Sequence, residues 1–216
     1  MKPLSKKINS IPPSATIEIT DRARRMKAEG TDVISLSIGE PDFDTPKHIT
    51  DACIAALQEG KTHYDASQGT QELREAISEK LKTDNGIDMD AAGIVVACGA
   101  KNNIYEAMEA CLNPGDEVVI IDPSWVSYEP AVRIAGGVPV HHSLNDKDFQ
   151  LDDSLLEKIT PESKMIVLNT PSNPTGSVLT KDSLNLVADI CRDNDIIALS
   201  DEIYEKLIYG KEHLSI

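Results

Sequence analysis

Short aliphatic runs alternate with helical stretches through most of this chain, and that alternation constrains its fold more than any other feature. The strand-like runs cover residues 93–98, 118–122, 138–142, 165–169 and 196–200. Helical patterns cover residues 102–111, 126–135, 154–159 and 183–192. Aliphatic runs without polar alternation are typical of strands buried on both faces. The chain is therefore predicted to be an α/β protein, with a mostly parallel sheet and helices on both faces.

The first 45 residues have a different character. They are rich in proline and contain one helical pattern, at residues 15–29, so we interpret residues 1–45 as an amino-terminal arm and a segment of a small domain. Residues 46–216 then form the amino-terminal part of a large domain, which is expected to be incomplete. Its first helices are predicted at residues 49–58 and 71–82.

Composition narrows the classes of function. The formal net charge is -15, from 36 acidic and 21 basic residues, which argues against nucleic acid as a partner. No apolar run approaches the length of a membrane span, and the first residues lack the apolar block of a signal peptide. The four cysteines form no CxxC pair and are expected to be buried free thiols. We therefore expect a cytoplasmic protein without a metal site or a membrane partner.

In parallel sheets, ligands bind where strands end and helices begin. Unusual residues follow four of the strand-like runs: GAK at 99–101, PSW at 123–125, TPSNPTG at 170–176 and SDEIY at 200–204. A small-residue turn before a helix lets backbone N–H groups approach an anion. A tryptophan at this rim offers a flat surface for a planar ligand. Together the four clusters predict a ligand site at one edge of the sheet.

Each cluster also has a purely structural explanation. The GAK segment would serve as an ordinary strand-to-helix turn, and Trp125 as a core residue. The two prolines around Asn173 stiffen a loop that simply joins a strand to a helix. Asp201 is suited to capping the amino terminus of a helix that follows its strand. The prediction of a ligand site therefore rests on the agreement of all four clusters and not on any one of them.

The chain resembles a known family in the order of several motifs. These are PSAT at 13–16, GEPDFDTP at 39–46, Tyr64 followed by QGTQELREA, and the GAK, SW, SNPTG and SDEIY segments. The series resembles class I aminotransferases of fold-type I, which depend on pyridoxal phosphate, and it is most similar to the bacterial aspartate/prephenate subgroup. The resemblance implies transfer of an amino group from an amino acid, with aspartate or another dicarboxylic donor expected, to a 2-oxo acid.

The resemblance also implies a role for each matched position. Gly99, Ala100 and Lys101 would hold the cofactor phosphate, Trp125 would stack on its ring, and Asn173 and Tyr204 would bond its ring oxygen. Asp201 would face the ring nitrogen and stabilise its protonated form. Tyr64 would contact the phosphate of the neighbouring subunit in a homodimer. The residues expected to contact substrate are Gly39, Trp125, Asn173, Lys101, Ser14 and Thr16. Lys101 has an alternative interpretation as a solvent-facing lysine.

Two groups that the family requires are not found among these residues. The lysine that forms a Schiff base with the cofactor, and the arginine that binds the substrate α-carboxylate, are expected beyond Ile216. The chain alone is therefore expected to be inactive. The alternative is a non-catalytic protein that binds pyridoxal phosphate, or one half of a split enzyme. Other transaminases and lyases of the same fold also stay open.

Overall fold

The computed structural model describes residues 3, 5–9, 11–37, 39–144 and 147–216. Residues 1, 2, 4, 10 and 38 of the predicted amino-terminal arm lie outside the described residues. The chain divides into two compact units, one of Ser10–Ala66 and the other of Met1–Asn9 with Ser67–Ile216. The predicted boundary between residues 45 and 46 concerns the domains of a longer protein and stays a prediction.

The unit Ser10–Ala66 is helical. It contains α2 (Ala15–Ala28) and α3 (Lys47–Gln58), close to the two helices predicted there, and α1 (Lys6–Asn9) precedes it in the chain. Thr20 Oγ1 donates a hydrogen bond to Ser37 Oγ at 3.1 Å, which ties the segment after α2 to the helix. Among the described residues of α3, none is buried.

The larger unit is built on a four-stranded sheet. The strands are β1 (Glu117–Asp122), β2 (Val138–Ser143), β3 (Ser163–Asn169) and β4 (Ile197–Asp201). All pairs are parallel, in the order β2-β1-β3-β4, so β1 and β3 lie in the centre. Each strand lies within a residue or two of its predicted limits. The carboxyl ends of β1, β3 and β4 are Asp122, Asn169 and Asp201.

Helices cover both faces of this sheet, which confirms the predicted fold class. α5 (Ala100–Cys111) and α6 (Tyr128–Ala135) pack on one face and α7 (Lys181–Asn194) packs on the other, whereas α4 (Gln71–Lys80) precedes them in the chain. Alternate residues of β1 enter different cores, because Val118 and Ile120 pack with α5 and α6 whereas Val119 packs with α7. No helix within the described ranges is both long and apolar enough to cross a membrane.

Two predicted elements differ from the structure. Residues 93–98 form no strand. Val96 N–H bonds Gln68 O at 2.9 Å, but no strand in the described part of the chain pairs with this run, and an aliphatic pattern alone cannot supply a pairing partner. The predicted helix at 154–159 is a short 3-10 helix, Asp153–Lys158.

The cysteine prediction was correct in one part and wrong in another. All four thiols are free. Cys191 is buried, and burial raises the pKa of its thiol. Cys53 and Cys98 are exposed, so the expected burial is wrong for them. Cys53 lies on α3, in which no described residue is buried, and Cys98 is the last residue of the unpaired run.

Candidate cofactor site

Asp201 ends β4 as a largely buried carboxylate, only 9% exposed. Its Oδ2 accepts a hydrogen bond from Tyr128 Oη at 2.7 Å, and its Oδ1 accepts one from Ile203 N–H at 3.2 Å. The second bond caps a turn and not the helix that the structural explanation expected, because the described residues 202–216 form no helix. A carboxylate has about four acceptor positions, so both oxygens keep capacity for a donor from a ligand.

Tyr128 is the partner that sequence reasoning missed. It is the first residue of α6, its side chain is almost completely buried, and it is separated from Asp201 by 73 positions in the sequence. Burial, followed by the hydrogen bond to Asp201, raises the pKa of the Tyr128 phenol well above its ordinary value. The phenol therefore stays a hydrogen-bond donor. Its position three residues after Trp125 was the available signal, since residues three apart in a helical turn lie side by side.

Trp125 and Lys101 meet beside this pair. The half-buried Trp125 indole packs edge-to-face on the Tyr128 ring, with centroids 5.4 Å apart and planes at 83°. The Lys101 ammonium lies 5.4 Å from the centroid of the Trp125 ring, in a cation–π contact. Residues from the start of α5, the loop after β1 and the end of β4 are thus linked through Tyr128.

A cleft of about 330 Å³ lies between the start of α5 and the end of β4. Ala100 and Ile104 line one side, and Leu199, Asp201 and Ile203 line the other. It contains two groups of opposite character, because the amino terminus of α5 carries partial positive charge and the Asp201 carboxylate is negative. Such a cleft suits a ligand that has an anionic end and a protonated nitrogen.

Gly99 shapes the start of α5. Its φ of +84° lies in the region that favours glycine, and its carbonyl accepts a hydrogen bond from Asn102 N–H at 3.0 Å. The first N–H groups of a helix have no intrahelical acceptor and are free to bind an anion. The structure therefore gives the predicted GAK segment the local geometry of an anion site.

Asn173 reaches Asp201 through Asn169, a second residue that sequence reasoning missed. Asn173 N–H donates to Asn169 Oδ1 at 2.7 Å, and Asn169 Nδ2 donates to the Asp201 carbonyl at 3.0 Å. The loop is closed by Gly176 N–H, which bonds the Ser172 carbonyl at 2.8 Å. The role of the Asn173 side chain stays a prediction.

The remaining predicted site residues are described by their local surroundings. Tyr204 is half-buried in the turn after β4, where its carbonyl accepts from Leu207 N–H at 2.8 Å. Tyr64 and Gly39 are exposed in the smaller unit, where Ser14 precedes α2 and Thr16 lies in its first turn. The roles given to these residues stay predictions.

These features define a class: an α/β protein with a candidate cofactor site at the carboxyl ends of a parallel sheet. An aromatic ring, a helix amino terminus and a buried carboxylate fit a flat, anionic heterocycle with a basic nitrogen. The family model "Aminotransferase class I and II" matches residues 31–216, and the chain belongs to that family. Class I aminotransferases depend on pyridoxal phosphate, which has these chemical features.

Curated relatives support the same family. The chain is 45% identical to an aspartate aminotransferase of Geobacillus stearothermophilus over 216 residues, which is 99% of this chain and 55% of that protein. It is 41% identical to the aspartate/prephenate aminotransferase of Thermus thermophilus, covering 100% of this chain and 56% of the relative. The chain thus spans little more than half the length of these relatives.

Solved structures show the same relationship. The aspartate aminotransferase from Thermus thermophilus with maleate superposes with a TM-score of 0.97 at 40% identity, over 100% of this chain and 57% of that one. An alanine aminotransferase from Pyrococcus furiosus gives a TM-score of 0.94 at 35% identity, over 99% of this chain and 55% of that chain. Superposition on solved structures therefore confirms the predicted fold.

Proposed function

We propose that this chain is the amino-terminal part of a pyridoxal-phosphate-dependent aminotransferase, which moves an amino group from aspartate or another dicarboxylic amino acid to a 2-oxo acid. The observation that carries the proposal is Asp201, a buried carboxylate that faces a cleft and keeps acceptor capacity. When bound there, pyridoxal phosphate would supply an electron sink for the pair left by the departing α-proton of the substrate. The complete enzyme, below, means this chain continued to the length of its relatives.

Different residues of the chain would bind different parts of the cofactor. The amino terminus of α5, at Gly99–Lys101, would hold the phosphate through backbone N–H groups and helix charge. Trp125 would cover one face of the ring and exclude water from it. Asp201 would keep the ring nitrogen protonated by placing a negative charge beside it. Asn173 and Tyr204 would donate hydrogen bonds to the ring oxygen.

Substrate selection is proposed to depend on Lys101. A lysine ammonium provides the charge that a second, distal carboxylate requires, and Ser14 and Thr16 would add hydroxyl donors. Gly39 would offer its backbone to the α-carboxylate. The enzyme is proposed to act in the cytoplasm as a homodimer, with Tyr64 serving the site of the neighbouring subunit.

The deciding experiment removes the Asp201 carboxylate from the complete enzyme. We expect Asp201→Ala to lower kcat by a factor of about 100 or more, because the group acts on charge that develops during reaction. The matched control, Asp153→Ala, removes an exposed carboxylate of the 3-10 helix and should leave kcat unchanged. Full activity in the Asp201 variant would contradict the proposal.

A second experiment separates the proposed enzyme from a non-catalytic binding protein. The intact mass of the natural polypeptide would be measured together with its absorbance before and after borohydride treatment. A mass well above that of 216 residues, with a borohydride-sensitive band, supports an enzyme that carries its own Schiff-base lysine. A mass equal to that of this chain, without the band, would replace the proposal with the binding or split-protein alternative.

A further inference from the structure

Tyr128 contacts both groups that the proposed site uses to hold a ring. Its hydroxyl donates to Asp201 Oδ2 at 2.7 Å, and its ring packs edge-to-face on Trp125 at 5.4 Å between centroids. The Tyr128 side chain, at the start of α6, thus contacts two groups. One is the carboxylate that would meet the edge of a ligand ring, and the other is the indole that would cover the face of that ring.

We propose that Tyr128 is a positioning residue, which orients the Asp201 carboxylate toward the ring nitrogen of the cofactor and holds Trp125 at the matching position. This inference rests on the proposed function. The hydroxyl occupies one acceptor position of Oδ2, and Ile203 N–H occupies one of Oδ1, so the carboxylate is held from two directions. Only positions on its remaining side are left for a ligand.

The surroundings of Tyr128 make it a dependable donor. Its side chain is 2% exposed, and it packs in the core with Val132 and Met108. Burial and Asp201 both raise the pKa of the phenol, so it does not lose its proton at ordinary pH. A protonated donor that is packed in the core keeps the carboxylate in one orientation before any ligand arrives, which lowers the cost of binding.

A satisfied core tyrosine would show the same contacts without affecting a ligand, so the test must separate the two roles. A double-mutant cycle in the complete enzyme does this, with Tyr128→Phe, Asp201→Ala and the double variant compared with wild type. The measurement is the dissociation constant of pyridoxal phosphate for each cofactor-free protein, followed by fluorescence quenching. Phenylalanine keeps the ring that packs on Trp125 and removes only the hydroxyl.

We expect Tyr128→Phe to weaken pyridoxal phosphate binding about tenfold in the wild-type background. In the Asp201→Ala background the same change should have less than about a twofold effect, because the hydroxyl acts through the missing carboxylate. The double variant leaves neither group of the pair unpaired, so it stays informative if the single variant is unstable. Tyr105→Phe is the matched control, since it removes a hydroxyl bonded to Glu109 at 3.0 Å on the exposed face of α5. It should bind as wild type does.

A second readout is the pH dependence of the absorbance of the bound cofactor, which should shift in Tyr128→Phe and not in Tyr105→Phe. Equal loss of affinity in both backgrounds, or no loss in either, would overturn the positioning role while leaving the proposed function intact. Failure of the wild-type enzyme to bind pyridoxal phosphate at all would overturn both.

Discussion

His213 Nε2 lies 2.8 Å from Oε2 of Glu202, and both side chains are largely buried. The same Glu202 oxygen accepts from Ser215 Oγ at 2.6 Å, and Oε1 accepts from Ser200 Oγ at 2.8 Å. Glu202 follows Asp201 directly. This network therefore fastens the segment that carries the proposed cofactor carboxylate to the stretch around residue 213.

A second carboxylate, Glu205, lies beside this network and pairs with Lys80. Although oxygens of both glutamates lie within 4.8 Å of a His213 nitrogen, the Lys80 ammonium already supplies the positive charge there. Burial raises the pKa of Glu205, but hydrogen bonds from Lys80 and Asn85 outweigh it and lower the pKa overall. The arrangement is explained as a hydrogen-bond network rather than a cation site.

Loss of the His213 side chain should loosen the turn that follows β4. In the complete enzyme we expect His213→Ala to lower the local free energy of opening by about 1 to 3 kcal/mol, because Glu202 then loses a buried partner. Hydrogen exchange of the Glu205 and Leu207 amides measures this, since both bond carbonyls within the turn. The control His63→Ala changes an exposed residue. Unchanged exchange in the His213 variant would contradict the prediction.

Gly99→Ala should affect both helix geometry and cofactor affinity. No atom lies within 4 Å of an added Cβ, so the cost arises from the φ of +84° and should be about 1 to 2 kcal/mol. Gly60→Ala is a matched control, because Gly60 has a φ of +74° and equally open surroundings but lies outside the site. Thermal unfolding and pyridoxal phosphate affinity would be measured for both variants. We expect both to lose stability and only the Gly99 variant to lose affinity; equal affinities would argue against the anion role of α5.

The sheet could be predicted because its pattern is local. Val118, Val119 and Ile120 form a continuous aliphatic run, and in the structure all three are completely buried between two layers of helices. The same reasoning failed at residues 93–98, where Ile94 is buried but Val95 is 52% exposed. Whether a run becomes a strand depends on a neighbour that local pattern cannot supply.

The site could be predicted only in part, for a related reason. Asp201 and Trp125 were found because they lie in the clusters that follow strand-like runs. Tyr128 and Asn169 were not, since their importance lies in contacts that cross 73 and 32 positions of sequence. The spacing of residues within one helix or strand can be recognised in a sequence. Residues that parallel strands bring together can be identified only once the order of the strands in the sheet is known.

Lys101 should determine the preference for a dicarboxylic substrate. In the complete enzyme we expect Lys101→Ala to raise the KM for aspartate by about tenfold or more, because a charged partner of the distal carboxylate is lost. Alanine has no distal carboxylate, so its kinetics should hardly change. Lys82→Ala is the control, because Lys82 is an exposed lysine in the π-helical segment Leu81–Asn85 that follows α4. If aspartate turnover is unchanged in the Lys101 variant, Lys101 is a solvent-facing lysine instead.

The raised pKa of Tyr128 predicts a specific loss of stability at alkaline pH. Its pKa is raised above an ordinary value near 10, so the folded state holds the phenolic proton when the unfolded state has released it. The hydrogen bond to Asp201 therefore contributes fully below about pH 10, and its contribution falls as pH rises above that value. The difference between the thermal midpoints of wild type and Tyr128→Phe should accordingly be constant below about pH 10 and narrow steadily as the pH rises above that value. A parallel series with Tyr209→Phe, which changes a residue that is 87% exposed, should show a constant difference. A gap between wild type and Tyr128→Phe that stays constant with pH would mean that Tyr128 is not held in its protonated form by the fold.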